Sequence, residues 1–235
     1  MTLAAYAGAA RRLGVAIEEG AAVLALVEGA GRLRGVRTAE GVQEAEAVVL
    51  AAGPHSAELL RPLGLELPLR VQLVGVLQTE PLPPLLEQVF GVANADCAGR
   101  QEIDGRLRVT TGIGDWPHPL QGWTEAALMP AAGVLGGLIA RTGALLPALL
   151  AARVARIWGG LIDLTPDALP VLDAPLPGLV VAAGFSGHGW CLGPVSGEIC
   201  AALALGRACP HDITAFRLDR FARPPAAVQP LTLHG

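Results

Sequence analysis

The residues most able to do chemistry crowd into one stretch, Gly184-Phe185-Ser186-Gly187-His188-Gly189-Trp190-Cys191-Leu192. It offers an imidazole, a thiol, an indole and a hydroxyl, with glycines between them. Glycine lets backbone approach a ligand closely and tolerates positive φ. A helix is expected next, and a helix start carries unpaired N–H groups and the positive end of a dipole. Such a stretch suits an anion, or a ring that becomes anionic as it reacts. The plainer alternative is a tight strand-to-helix connection that binds nothing, with His188 satisfied by backbone.

Other chemistries are excluded by composition. All basic residues are arginine, so lysine Schiff bases, a P-loop lysine and a lysine general base are ruled out. Cys97, Cys191, Cys200 and Cys209 form no CxxC pair and show no metal-ligand spacing, so no metal site is expected. Gly29-x-Gly31-x-x-x-Gly35 is one residue off a phosphate fingerprint, and it joins two strands with no helix following.

The positioning elements read as follows. Leu179–Ala183 is a short apolar run rich in Val, the pattern of a buried strand. Pro194–Leu205 has helical apolar spacing, with Pro194 suited to the first turn and Gly206 to the stop. Upstream, Leu3–Leu13 reads as a helix and Val15–Glu18, Ala22–Glu28 and Leu33–Thr38 as strands. Ala45–Leu50 is a further strand, running into Ala51-Ala52-Gly53 and a helix to about Leu63. A second region begins near Leu65. It contains a strand over Leu69–Val76, another at Val89–Ala93, and a hairpin of Gly99–Asp104 with Arg106–Thr111. A helix over Ala131–Leu150 breaks at Pro147, and Arg153–Leu164 is a strand. Phe216–Phe221 should dock the chain's end.

With 235 residues and 52% hydrophobic content, the chain can build a core for one domain or two interleaved ones. A net charge of −4 argues against nucleic-acid and anionic-membrane partners. No signal peptide is evident, and a reduced, cytoplasmic protein is expected. The uncharged run between Glu125 and Arg141 is too short to span a membrane and is interrupted by Pro130.

Ala182–Trp190 (AAGFSGHGW), Gly193–Glu198 (GPVSGE) and the preceding Trp158–Leu172 (WGGLIDLTPDALPVL) resemble the C-terminal end of FAD-dependent amine and amino-acid oxidoreductases, the sarcosine oxidase, glycine oxidase and D-amino-acid oxidase-like family. Val48–Ser56 (VVLAAGPHS) is similar to the family's strand and turn facing the cofactor's ADP half. The resemblance implies a mixed α/β fold: an incomplete Rossmann-like FAD domain with an inserted antiparallel-sheet substrate domain. The implied divisions are 1–64 and 164–223 for the FAD domain, 65–163 for the substrate domain, and 224–235 for a tail.

The resemblance also implies non-covalent FAD and a small amine or amino-acid substrate. The implied cofactor contacts are Val23, Ala52, Gly53, Gly184, Ser186, Gly187, His188, Gly189, Trp190, Cys191 and Leu192. Candidates for a catalytic part are His188, Trp190 and Arg70, while Asp163, Thr165 and Asp167 could line the site.

Two positions depart from the family pattern. Cys191 stands where sarcosine oxidase-like enzymes carry a lysine that helps activate O2, which leans the chemistry toward dehydrogenase behaviour. Ile162 stands where glycine oxidase-like enzymes carry an arginine for the substrate carboxylate, so Arg70 or Arg100 would have to substitute. The family's Gly-x-Gly-x-x-Gly unit is absent from these residues. Two readings follow. In one, an upstream segment or another chain supplies the FAD-pyrophosphate unit. In the other, the chain is a non-catalytic relic, or a subunit of a split flavoenzyme that does not bind FAD by itself.

Overall fold

The computed structural model describes residues 2–91, 97–121 and 124–222. Three sheets carry the architecture. The first is an antiparallel meander of β1 (Ala25–Gly29), β2 (Arg32–Thr38) and β3 (Gly41–Glu44). The second holds β10 (Val171–Leu176), β11 (Leu179–Ala183) and β4 (Val48–Leu50), in that order. β10 and β11 are antiparallel, whereas β11 and β4 run parallel. The third is antiparallel, in the order β6 (Phe90–Gly91), β7 (Ala98–Gln101), β8 (Arg106–Asp115), β5 (Arg70–Pro81) and β9 (Val154–Leu164). The helices are α1 (Thr2–Arg12), α2 (Ser56–Leu60), α3 (Glu125–Leu128), α4 (Ala132–Leu145) and α5 (Gly189–Ala204).

β11 explains its own composition. Leu179, Val181 and Ala183 enter one core with Leu33, Leu50 and Leu60. Val180 and Ala182 enter another with Ile199 and Cys200 of α5. Successive strand residues point to opposite faces, so a strand covered on both reads as an unbroken apolar run. A third core, around Leu77, Leu107, Val109 and Leu138, seats α4 on the five-stranded sheet.

Several expectations need correction. Val15–Glu18 forms no strand; Val15 and Ile17 are exposed, and no ladder partner lies beside them among the described residues. An unpaired strand cannot satisfy its own backbone. The next strand begins at Ala25, not Ala22. β4 begins only at Val48, because Ala45 and Glu46 serve the meander instead. The Ala45 N–H donates to the Arg34 carbonyl at 2.8 Å, and the Glu46 carbonyl accepts from Arg32 Nη2 at 2.7 Å.

α5 begins at Gly189, not at Pro194, which falls inside it. The Cys191 and Leu192 N–H groups both donate to the His188 carbonyl at 3.2 Å and close the first turn there. Pro194 then removes one bond from the helix instead of opening it. β10 was not expected as a strand; its short apolar run is broken by Asp173 and Pro175.

The break after α4 falls at Pro147, as expected, and a 3₁₀ turn follows over Pro147–Ala151. Leu218 is buried in the docked end of the chain. Val92, Ala93 and the 224–235 tail lie outside the described residues. Glu125–Leu145 has the length and hydropathy of a membrane span. Its chain turns at Met129, where ψ is 128°, and divides into two helices. The 14 residues of α4 measure about 21 Å, short of the ~30 Å hydrocarbon core.

Candidate functional site

Two glycine turns meet at one edge of the parallel pair. Val181 lies opposite Leu50, so the chain leaving β11 at Gly184 and the chain leaving β4 at Ala51–Gly53 emerge side by side. Ligands of open α/β sheets bind outside the carboxyl ends of such strands. The 3₁₀ turn Gly53–His55 lies against both β11 and β9, which brings the end of the five-stranded sheet to the same place.

The second glycine loop is held from below by β9. Asp163 Oδ2 accepts the Gly184 N–H at 2.7 Å, and the Asp163 carbonyl accepts the Ser186 N–H at 3.0 Å. Ser186 Oγ accepts the Thr165 N–H at 3.2 Å and donates to the Gly184 carbonyl at 3.1 Å. Burial raises the Asp163 pKa above the ordinary aspartate value, while the Gly184 N–H works against that shift.

Two backbone conformations fix the loop's path. Gly184 has φ +70°, and a Cβ there would stand 2.3 Å from Thr165 Cγ2. Ser186 holds φ +52°, uncommon for a residue with a side chain, and its hydroxyl bonds compensate for it.

The expected site residues therefore divide. Gly184 and Ser186 are buried and committed to the loop's own structure. Gly187, Trp190 and Cys191 are exposed, with Trp190 at 65%, while His188, Gly189 and Leu192 are half-buried. His188 is the N-cap of α5 through its backbone; its side chain makes no cap bond. Gly53 has φ +52° and open space where a Cβ would project, with Ala52 half-buried beside it.

The remaining candidates are spread more widely. Val23 precedes β1 in the meander, a different sheet from either glycine turn. Arg70 opens β5 opposite Leu164, close to the loop anchor in register, and its Nε lies 3.4 Å from Asp115 Oδ1. Arg100 lies 3.5 Å from Glu102. Ile162 pairs with Gln72 on β5.

Asp167 accepts the Leu169 N–H at 3.1 Å. It also receives two hydrogen bonds from Arg220, at 2.8 and 3.1 Å, which tie down the turn Leu218–Ala222. Desolvation would raise its pKa, but the Arg220 bonds, the Leu169 N–H and Arg220's charge together lower it. The anchoring part of Asp163 and Ser186 was not read from the sequence. Their spacing carries no signal until β9 and β11 are brought together.

The Gly184–Gly189 loop and the first turn of α5 fit the ring end of a flavin, with N–H donors at Gly189 and Trp190 that the helix does not use, and the open space at Gly53 fits the ADP half to which the resemblance assigns that turn. No described residue set fits its pyrophosphate.

Residues 1–203 match the profile of a family described as FAD dependent oxidoreductase (DAO). The chain is similar to sarcosine oxidase subunit beta of Rhizobium meliloti, at 31% identity over 93% of this chain and 51% of that protein. It is similar to a D-amino acid dehydrogenase of Cereibacter sphaeroides, at 29% identity over 95% and 50%. Among solved structures, glycine oxidase from Geobacillus kaustophilus superposes with a TM-score of 0.79 at 28% identity, covering 92% of this chain and 56% of that one. L-proline dehydrogenase from P. horikoshii shares the fold, with a TM-score of 0.78 at 22% identity over 93% of this chain and 58% of that one. The chain spans about half the length of the curated relatives it matches.

Proposed function

The chain belongs to the DAO family of FAD dependent oxidoreductases, and from that premise we propose that it forms the ring-binding and substrate-binding part of an enzyme that oxidises a CH–NH bond of a small amine or amino acid. The observation that carries this reading is the meeting of the Ala52–Gly53 turn and the Gly184–Gly189 loop at the carboxyl edge of β4 and β11. In the proposed division, 1–64 and 164–223 hold the cofactor and 65–163 holds the substrate.

A flavin held here would supply a two-electron acceptor for the substrate CH–NH bond. This chain's residues do the positioning. Asp163 and Ser186 lock the loop, so that backbone, not side chain, lies against the ring. The N–H donors of Gly189 and Trp190 and the dipole of α5 favour negative charge at the ring edge. His188 and Trp190 would stand beside that edge. Held without a covalent bond, the cofactor would depend on a dinucleotide-binding unit from an upstream segment or another chain. The outer edge of β4 is unpaired among the described residues, which supports that edge as the docking place.

The test is spectroscopic. The chain is purified alone and after co-expression with a βαβ unit carrying Gly-x-Gly-x-x-Gly from a relative. A flavin absorption band should appear in the second preparation and bleach anaerobically with an amino-acid or amine substrate. A colourless complex that ignores added FAD would favour the non-catalytic reading.

A further inference from the structure

A cavity of about 360 Å³ opens on the five-stranded sheet, lined by Gln78, Arg108, Glu125, Met129, Arg156 and Trp158 among others. That size is at the small end for metabolite sites. β5 sets Gln78 opposite both Arg108 and Arg156, so the three form one row across β8, β5 and β9. Both guanidiniums lie 5.7 Å from the Trp158 ring.

Charge in this row is unevenly spent. Glu102 is engaged by Arg108, by Arg100 at 3.5 Å and by Gln78 Nε2 at 2.8 Å. Arg108 nevertheless keeps a buried Nε with no partner. Arg156 makes no ion pair among the described residues, and neither does Glu125. The cavity thus offers the unengaged guanidinium of Arg156, the charge of Arg108 beside it, one unpaired carboxylate, and an apolar wall of Trp158 and Met129.

We propose that this cavity binds a free amino acid as its zwitterion. The α-carboxylate sits on Arg156, whose planar guanidinium fork matches it, with the charge of Arg108 beside it. The ammonium faces Glu125, and the side chain lies against Trp158 and Met129. A carboxylate ligand alone would leave Glu125 opposing it, and an amine alone would meet two cations.

The cavity is separate from the glycine loop. Its lining residue on β9 nearest the loop, Gly159, precedes the loop anchor Asp163 by four residues (163 − 159), about 13 Å of extended chain, and Arg156 precedes it by seven, about 23 Å. No single small amino acid reaches across that length. At that distance from the glycine loop, this is a site of binding and not of turnover. The proposal does not depend on flavin binding.

The test is calorimetric titration of the purified chain, without flavin, at low salt. The probes are leucine, N-acetylleucine and leucinamide. Leucine should saturate one site, and each blocked compound should bind at least about tenfold more weakly. Arg156→Gln and Glu125→Gln change exposed positions, and their folding is checked by thermal melts. Each should weaken leucine by roughly tenfold while leaving the melt unchanged. The proposal is overturned if leucine shows no saturable heat, if N-acetylleucine binds as well as leucine, or if both variants bind leucine like the parent.

Discussion

Asp163 and Gly184 are joined by a 2.7 Å hydrogen bond that fastens the end of the five-stranded sheet to the glycine loop beside the parallel pair. Asp163→Ala would leave the Gly184 N–H buried without an acceptor and destabilise the fold by about 1–3 kcal/mol. Thermal unfolding of the two proteins measures it. An unchanged midpoint would show that the bond holds nothing in place.

The same carboxyl gives stability a pH dependence of known sign. Burial raises its pKa in the folded state, against the opposing Gly184 N–H. A carboxyl with a raised folded pKa contributes fully below its unfolded value, and the contribution is lost as pH rises through the folded value. Asp163→Asn cannot ionise. The parent's stability relative to this variant should therefore fall with rising pH across that window, as read from urea midpoints at several pH values.

Gly184 and Gly53 share a left-handed φ but differ in surroundings. Gly184→Ala meets Thr165 and Leu69, so strain of about 1–2 kcal/mol is joined by ~1–3 kcal/mol of overpacking. Gly53→Ala projects into open space and should cost only about 1–2 kcal/mol. If the flavin passes there, Gly53→Ala should weaken its retention in the co-expressed complex far more than it lowers the melting temperature. Equal retention would remove Gly53 from the site.

Cys191 bears on the electron acceptor. It is exposed and carries no positive charge. The reconstituted enzyme should pass electrons to a dye faster than to O2, and Cys191→Lys should raise the O2 reaction by about tenfold. Stopped-flow reoxidation measures both, and an unchanged O2 rate in the variant would dismiss the idea.

Arg220 clamps the 3₁₀ turn Leu218–Ala222 through Asp167 and the Leu169 carbonyl at 2.7 Å, and it lies over the Phe221 ring. Arg220→Ala should lower stability by about 1–2 kcal/mol. The Asp167 pKa is lowered in the folded state. The clamp therefore acts above the ordinary aspartate range and is lost as pH falls through the lowered value. The parent–variant difference in denaturant midpoint should shrink in acid.

Much of this molecule was written in local pattern. The Val-rich run of β11, the hairpin around Asp104-Gly105, the break at Pro147 and the glycine loop before a helix each depend on near neighbours in sequence. Propensity, turn chemistry and the character of glycine act over that range, so these features could be read without coordinates. The strand expected at Val15–Glu18 failed because a strand exists only with a partner. Helix α5 began at Gly189 because the His188 carbonyl, not Pro194, closed its first turn. Only the tertiary structure could bring Asp163 under Gly184, turn Ser186 inward, and draw Arg108, Gln78 and Arg156 into one row. Those relations join strands that lie far apart in the chain, and their energies come from burial and hydrogen bonds that exist only once the sheets have formed.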